Sequence, residues 1–399
     1  MRWAGVLPPA APPAGWESLL AWSAASSSAA PAREVATDAH VYQMYTSGTT
    51  GRPKGAVITH RALSANVTQL LPSFDIRRGE RYLIATPLYH AAACIAAFVA
   101  IACGGTLYVQ EDFVPAEVVR ALAEEKIAFT TLVPAMIQAC LVAVPDVAER
   151  SYEDLRQIAY GASPISEQTL CRAIEVFGCD FVQGYGMTET TAVLTLLGAE
   201  EHRRAVKDRP ELLLSCGRPI LGTELRVVDE RDRPLPAGAI GQIVARGPQL
   251  MSGYWNMPDA SREALAGGWM HTGDAGTLDA EGYVYIQDRV KDMIVSGGEN
   301  VYPREVENAL FEHPAVGDVA VLGVPDERWG EAVKAIVVLR EGRSASARDL
   351  VDFCRGKLAG YKLPRSIDFV AALPRNPSGK VLKTQLREPY WAGRQRRVS

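Results

Sequence analysis

Apolar positions along the chain recur with two periods. Leu63, Val67, Leu70 and Leu71 fall at helical spacing behind Thr59, a residue suited to cap a helix. From there to about residue 190, short apolar runs alternate with helical ones. Strands are predicted at Tyr82–Ala85, Thr106–Val109, Ile127–Val133, Gln157–Tyr160 and Asp180–Gln183, separated by helices over 91–103, 115–125, 134–144 and 166–177. Such alternation predicts an α/β fold with a parallel sheet covered by helices, and in these sheets ligands bind at the carboxyl ends of strands.

The texture then changes twice. Between 215 and 288, glycines interrupt short alternating strands such as Glu224–Val228 and Gly241–Ala245, which predicts a small β-rich subdomain. Beyond 292 the order becomes helix 303–311, strand 317–323, strand 332–339, helix 346–358 and strand 366–370, a compact α+β unit. Residues 1–36 are rich in Ala, Pro and Ser, and only Trp16 to Trp22 has a helical pattern. The expected organisation is a loosely ordered head at 1–36, a large N-terminal domain at 37–290 and a small C-terminal domain at 291–399.

Composition narrows the function classes. A formal charge of -4 over 399 residues gives no electrostatic reason to expect nucleic acid binding. Cysteines at 94, 103, 140, 171, 179, 216 and 354 form no C-x-x-C pair, so reduced thiols in a cytoplasmic protein are expected, without disulfides or a zinc site. The longest apolar run, Ala91 to Cys103, is too short to span a bilayer, so no transmembrane segment is expected, nor a signal peptide.

Hydroxyls, glycines and a lysine are packed most densely at Tyr45 to Gly55, between strand-like Val41–Tyr45 and Ala56–Thr59. Glycine backbone can approach an anion closely, while Thr46, Ser47, Thr49 and Thr50 add donors and Lys54 adds a cation, so the stretch reads as a polyphosphate loop. It is not a Walker loop, because the register differs and a strand follows. Further glycine-bearing turns sit at predicted strand ends, Gly161-Ala162-Ser163 and Gly184-Tyr185-Gly186-Met187-Thr188-Glu189. In the second, an aromatic can stack on a base and a carboxylate can hold magnesium, although Thr188 or Glu189 can equally cap a turn. Asp274, after Thr272-Gly273, can accept ribose hydroxyls or sit in a β-turn.

These motifs, with Asp288-Arg289-Val290-Lys291, Ser296-Gly297-Gly298-Glu299-Asn300 and Pro377-Ser378-Gly379-Lys380, stand in the order seen in adenylate-forming enzymes. The chain resembles that superfamily of acyl-CoA synthetases, adenylation domains and luciferases, and within it the fatty-acyl-CoA and 4-coumarate-type CoA ligases. The resemblance implies a large N-terminal domain with mixed and parallel sheets, a β subdomain and a mobile C-terminal lid. It implies an AMP-forming acid–CoA ligase of fatty acid metabolism that uses ATP, Mg2+ and CoA on a fatty, aryl or alicyclic acid. Thr46, Ser47, Gly48, Thr49, Thr50, Gly51 and Lys54 match the loop on the β- and γ-phosphates. Gly161, Ala162, Ser163, Gly184, Tyr185 and Gly186 match the nucleotide pocket, with Tyr185 as the stacking aromatic. Thr46 and Glu189 match magnesium positions, and Asp274 and Arg289 ribose contacts. His90, Thr188, Glu189 and Lys380 match catalytic positions, His90 beside the acyl pocket and Lys380 on the reacting carboxylate. Lys291 matches the hinge, and Ser296, Gly297 and Gly298 the CoA channel. Members carry a substantial folded segment before the phosphate loop, whereas here residues 1–44 precede it, so an N-terminally truncated domain with apolar surface available for a homodimer is expected. An inactive or partner-dependent remnant that binds adenylate, and an enzyme loading a carrier protein, are the alternatives.

Overall fold

A computed structural model describes residues 18–29, 32–46, 53–74, 76–163, 165–375 and 381–392. Most of the predicted head lies outside these residues, and its described part contains helix α1 (Leu19–Ala25). The strands flanking the glycine-rich stretch, β1 (His40–Thr46) and β2 (Lys54–Thr59), pair antiparallel, and α2 (His60–Leu70) follows at once. Thr59 caps α2 as expected, its hydroxyl accepting from the Ala62 N–H at 3.2 Å.

The alternating region forms β3 (Arg81–Ile84), α3 (Ala91–Ala102), β4 (Thr106–Val109), α4 (Pro115–Glu124), β5 (Ile127–Leu132), α5 (Pro134–Ala143), β6 (Gln157–Gly161), α6 (Glu167–Phe177) and β7 (Asp180–Tyr185). Here β3 to β7 make the expected parallel pairs. Two antiparallel strands, β8 (Thr195–Leu197) and β9 (Arg218–Pro219), extend the sheet to seven, with α7 (Ala199–Lys207) between them. Both faces are covered. Leu83, Ile127 and Ile158 pack with α4, α5 and α6, whereas Tyr82, Ile84, Phe129 and Ala159 pack with α2 and α3. The two-residue period of the strands therefore feeds two cores, which is why these runs look continuously apolar in the sequence.

The β-rich segment is an antiparallel sheet of β10 (Glu224–Val228), β11 (Gly241–Arg246), β13 (Met270–Leu278) and β14 (Val284–Arg289). Between its strands, β12 (Gly253–Tyr254) leaves to pair with β2, and α8 (Pro258–Ala264) follows. This excursion ties the subdomain to the glycine-rich hairpin.

After a short turn at Val290–Asp292, the C-terminal unit contains β15 (Ile294–Ser296), β16 (Glu299–Val301), α9 (Pro303–Phe311), β17 (Val316–Asp326), β18 (Gly330–Leu339), α10 (Ala347–Cys354), β19 (Ser366–Phe369) and α11 (Lys383–Trp391). It has its own core: Val319, Val321, Val333 and Val337 face α9 and α10, while Ala320, Leu322 and Ile336 face Leu386 and Tyr390 of α11. The helix expected over 346–358 stops at Cys354, because Arg355 turns extended and Gly356 takes a positive φ of 84°. No helix among the described residues is long and apolar enough to cross a membrane.

Candidate active site

The hairpin pairs Thr46 with Lys54, and the Thr46 hydroxyl donates to the Lys54 carbonyl at 3.4 Å. Ser47, Gly48, Thr49, Thr50 and Gly51 lie outside the described residues, as does Lys380. The Lys54 ammonium sits 5.0 Å from the ring centroid of Tyr254, a cation–π distance. Tyr254 in turn donates its hydroxyl to Glu189 Oε1 at 2.8 Å. Lys54, Tyr254 and Glu189 thus form one chain of contacts, made possible because β12 pairs with β2. Burial and the Glu189 carboxylate push the Tyr254 hydroxyl pKa up, so it remains a donor. Tyr254 escaped the sequence reading; its only signal was an aromatic pair, Tyr254-Trp255, in a glycine-punctuated region.

Gly161 ends β6 and is registered with Gly184 in β7. A Cβ on Gly161 would lie 2.2 Å from the Gly184 carbonyl oxygen, so only glycine permits this approach. Ala162 continues at φ 66° and is exposed, with Ser163 half-buried beside it. Gly186 is as constrained: its Cβ would meet the Ala192 oxygen at 2.0 Å. The turn at Thr188–Thr190 is capped by Thr190, whose hydroxyl bridges the Met187 N–H and C=O at 3.0 and 2.9 Å. This corrects the alternative that Thr188 or Glu189 serves as the cap, and it leaves both side chains for other partners.

Asp274 lies within β13, opposite Arg289 of β14, and not in the β-turn considered for it. Its carboxylate takes Arg289 Nε at 2.8 Å on one oxygen and the Tyr185 hydroxyl at 2.8 Å on the other. Gly273 has φ 70°, and the register shifts between Ala275 and Gly276, a bulge that turns this strand segment. Burial opposes the Arg289 charge, but Asp274, Tyr185, Glu189 and Asp292 together outweigh it and raise the guanidinium pKa. The Tyr185 hydroxyl is pushed well up by burial and by Asp274. Tyr185, Asp274 and Arg289, expected together from three distant motifs, do converge.

His90 caps the amino end of α3, and its Nε2 is buried without a hydrogen-bond partner among the described residues. Burial lowers its pKa, so the ring is neutral near pH 7, and Tyr89 packs 4.8 Å away. No described hydrogen bond or ring contact joins it to Glu189 or Asp274. Lys291 stands in the Val290–Asp292 turn, its pKa lowered by burial. Ser296 is buried, and Gly297 and Gly298 form the two-residue hairpin between β15 and β16 at φ 64° and 88°. Glycine suits the positive φ of both positions in such a turn, and Gly297 also abuts Trp329, where a Cβ would lie 2.6 Å from the ring. Their presence therefore has a structural cause besides any channel.

Asp274 is balanced by Arg289, but Glu189, 5% exposed, has only the neutral Tyr254 hydroxyl as a described hydrogen-bond partner for its carboxylate. A buried carboxylate so placed calls for a cation. No cluster of three or more His, Cys, Asp or Glu forms a metal cage among the described residues. The turn carrying Glu189 packs against β1, which ends in Thr46, and a carboxylate with a threonine hydroxyl suits magnesium, which keeps most of its water and binds substrate phosphates.

Comparison with known proteins agrees with this geometry. The AMP-binding enzyme family matches residues 6–255, and AMP-binding enzyme C-terminal domain matches 305–380. The fatty acid–[acyl-carrier-protein] ligase ScoC of Streptomyces coeruleorubidus is 40% identical, over 98% of this chain and 76% of its own. A feruloyl-CoA synthase of Amycolatopsis sp is 41% identical, over 87% of this chain and 69% of its own. The crystal structure of ATP-bound MatB from Rhodopseudomonas palustris superposes with a TM-score of 0.87 at 32% identity, covering 94% of this chain and 72% of that one. With a family match across most of both folded units and relatives near 40% identity, the chain belongs to the AMP-binding enzyme family, the adenylate-forming superfamily.

Proposed function

We propose that this protein is an ATP-dependent acid–CoA ligase: it activates a carboxylic acid as acyl adenylate, releasing pyrophosphate, and then transfers the acyl group to the thiol of CoA. The observation that carries the reading is the pairing of two unlike carboxylate sites, Asp274 held by Arg289 and Tyr185, and Glu189, whose hydrogen-bond partner among the described residues is Tyr254, beside Lys54. Asp274 retains lone pairs for ribose hydroxyls, since each oxygen has one described partner. Glu189 and Thr46 would hold magnesium, which would supply positive charge to phosphate oxygens.

The attacking carboxylate and the α-phosphate are both anions, so the site must neutralise charge as the bond forms. Lys54 meets the departing pyrophosphate from the hairpin. Lys380 covers the attacking oxygen and the pentavalent centre, and the lid then turns about Lys291 to clear the path for the thiol. His90, neutral and capping α3, stands at the acyl side. Ala93 is buried and Ala91 and Ala92 half-buried along the first turn of α3, which supports an apolar acid. All seven cysteines are free, which supports a reducing, cytoplasmic setting.

A second reading concerns the acceptor. Similarity over 98% of the chain to a fatty acid–[acyl-carrier-protein] ligase favours a carrier-protein thiol in place of CoA. The Gly297-Gly298 pair does not discriminate between the two thiols, because the positive φ of the hairpin accounts for it. The test is acid-dependent ATP–pyrophosphate exchange over fatty, aryl and alicyclic acids, followed by addition of CoA or of holo carrier protein. Exchange with one acid class and thioester on CoA are expected. Thioester only on the carrier transfers the reading to its alternative, and no exchange from folded protein overturns both.

A further inference from the structure

Charged side chains that the reaction above leaves unused meet where the lid touches β14. Lys383, the first residue of α11, places its ammonium 2.8 Å from Glu307 in α9 and 3.6 Å from Asp288 in β14. One turn later on the same face, Arg387 donates to Asp292 at 3.0 Å. Asp288 also accepts from the Arg304 N–H at 3.0 Å, while the Arg304 guanidinium donates to the Ile286 carbonyl at 3.3 Å. The five side chains that carry the ion pairs are between 9% and 17% exposed, so they are not solvated surface pairs. Burial disfavours the Lys383 charge, but Glu307 and the two aspartates outweigh it and keep the ammonium protonated.

Asp288 precedes Lys291 and Asp292 follows it, so the two carboxylates bracket the hinge. Lys383 and Glu307 both lie beyond the hinge and stay together in any lid orientation. The contact between Lys383 and Asp288 crosses the hinge and must break when the lid turns. Asp288 adjoins Arg289, which holds Asp274, so this contact pins the start of α11 on the nucleotide side. Lys380 is three residues before Lys383 in the sequence, and covalent geometry keeps their Cα atoms within about 11 Å.

We propose that Lys383 is a positioning residue that, with Asp288, latches α11 across the hinge and holds the lid in the orientation that activates the acid, while Arg387 ties α11 to Asp292 on the lid side of the hinge. Glu307 keeps a partner on the Lys383 ammonium when the latch opens, so release does not strand a buried cation. The inference rests on the ligase reading for its consequence, and its structural half is measurable without it.

Asp288→Asn is the sharpest variant, because it removes the charge across the hinge and spares the lid's internal Lys383–Glu307 pair. It is expected to lower pyrophosphate exchange about tenfold, a usual size for coupling between states, through kcat and not through KM for ATP. Transfer to CoA from supplied acyl adenylate should be unchanged or faster, and Lys383→Arg should keep both half-reactions. Equal loss of both half-reactions, or no loss of exchange, overturns the latch. Hydrogen exchange on the same unliganded variant should speed amides of 383–391 while β17 and β18 stay protected. Unchanged protection of α11 overturns the latch even if no acid supports exchange, a result that would instead remove the ligase reading.

Discussion

Asp274 and His202 show how single buried polar residues find their partners in this protein. Asp274 is almost inaccessible, and Arg289 and Tyr185 each donate to its carboxylate. His202 is equally buried and is neutral: its Nδ1–H donates to the Gly198 carbonyl at 2.8 Å, and its Nε2 accepts from Tyr160 at 2.9 Å. Burial lowers the His202 pKa below 6.5, against the weaker pull of the Gly198 carbonyl and then of Glu201 and Asp180. Below pH 6.5 the unfolded chain therefore takes a proton that the folded one refuses. Stability should fall as pH drops from 7 towards 5, by at most about 1.4 kcal/mol per pH unit from this group. Thermal melts between pH 5 and 8 check this, with His202→Gln losing part of the slope; parallel curves for variant and parent would contradict it. Asp274 and Arg289 were legible as candidates from their motifs. Their mutual ion pair was not, nor was Tyr254, because each depends on a strand pairing that local sequence does not encode.

At the scale of elements, the candidate site is made by close approaches of backbone at strand ends. Gly161 and Gly184 face each other across β6 and β7, and Gly186 lets the following turn fold back until Ala192 touches it. Thr191 completes that turn at φ 64°, an uncommon conformation for a β-branched residue, with its hydroxyl donating to the Gln249 carbonyl at 2.6 Å. Gly186→Ala must displace the backbone carrying Glu189. Misplacement by about 1 Å is expected to cost on the order of 100-fold in pyrophosphate exchange. Gly178→Asn, in open space at the end of α6, should leave exchange unchanged. Equal rates for the two variants would show that the approach at Gly186 does not matter. The parallel strands and their helices were legible because their apolar runs are long and regular. β13 was not, since its Thr272-Gly273-Asp274 stretch has the composition of a turn, and α11 was hidden by Pro389 within it.

At the scale of the molecule, two folded units with separate cores meet at a three-residue turn centred on Lys291. Their order along the chain was readable from two changes of texture. Their contacts were not, since Lys383 and Asp288 are 95 residues apart (383 − 288). Proline fixes φ, so Lys291→Pro should spare pyrophosphate exchange and block transfer to CoA; transfer at the parent rate would argue against rotation at this turn. The central claim is that the acid's own oxygen attacks the α-phosphate of ATP. It is tested most directly by supplying the accepted acid labelled with oxygen-18 in its carboxyl group, then ATP and CoA, and weighing the products. One labelled oxygen in AMP is the predicted result, and label in inorganic phosphate with ADP formed, or unlabelled AMP beside thioester, would contradict it.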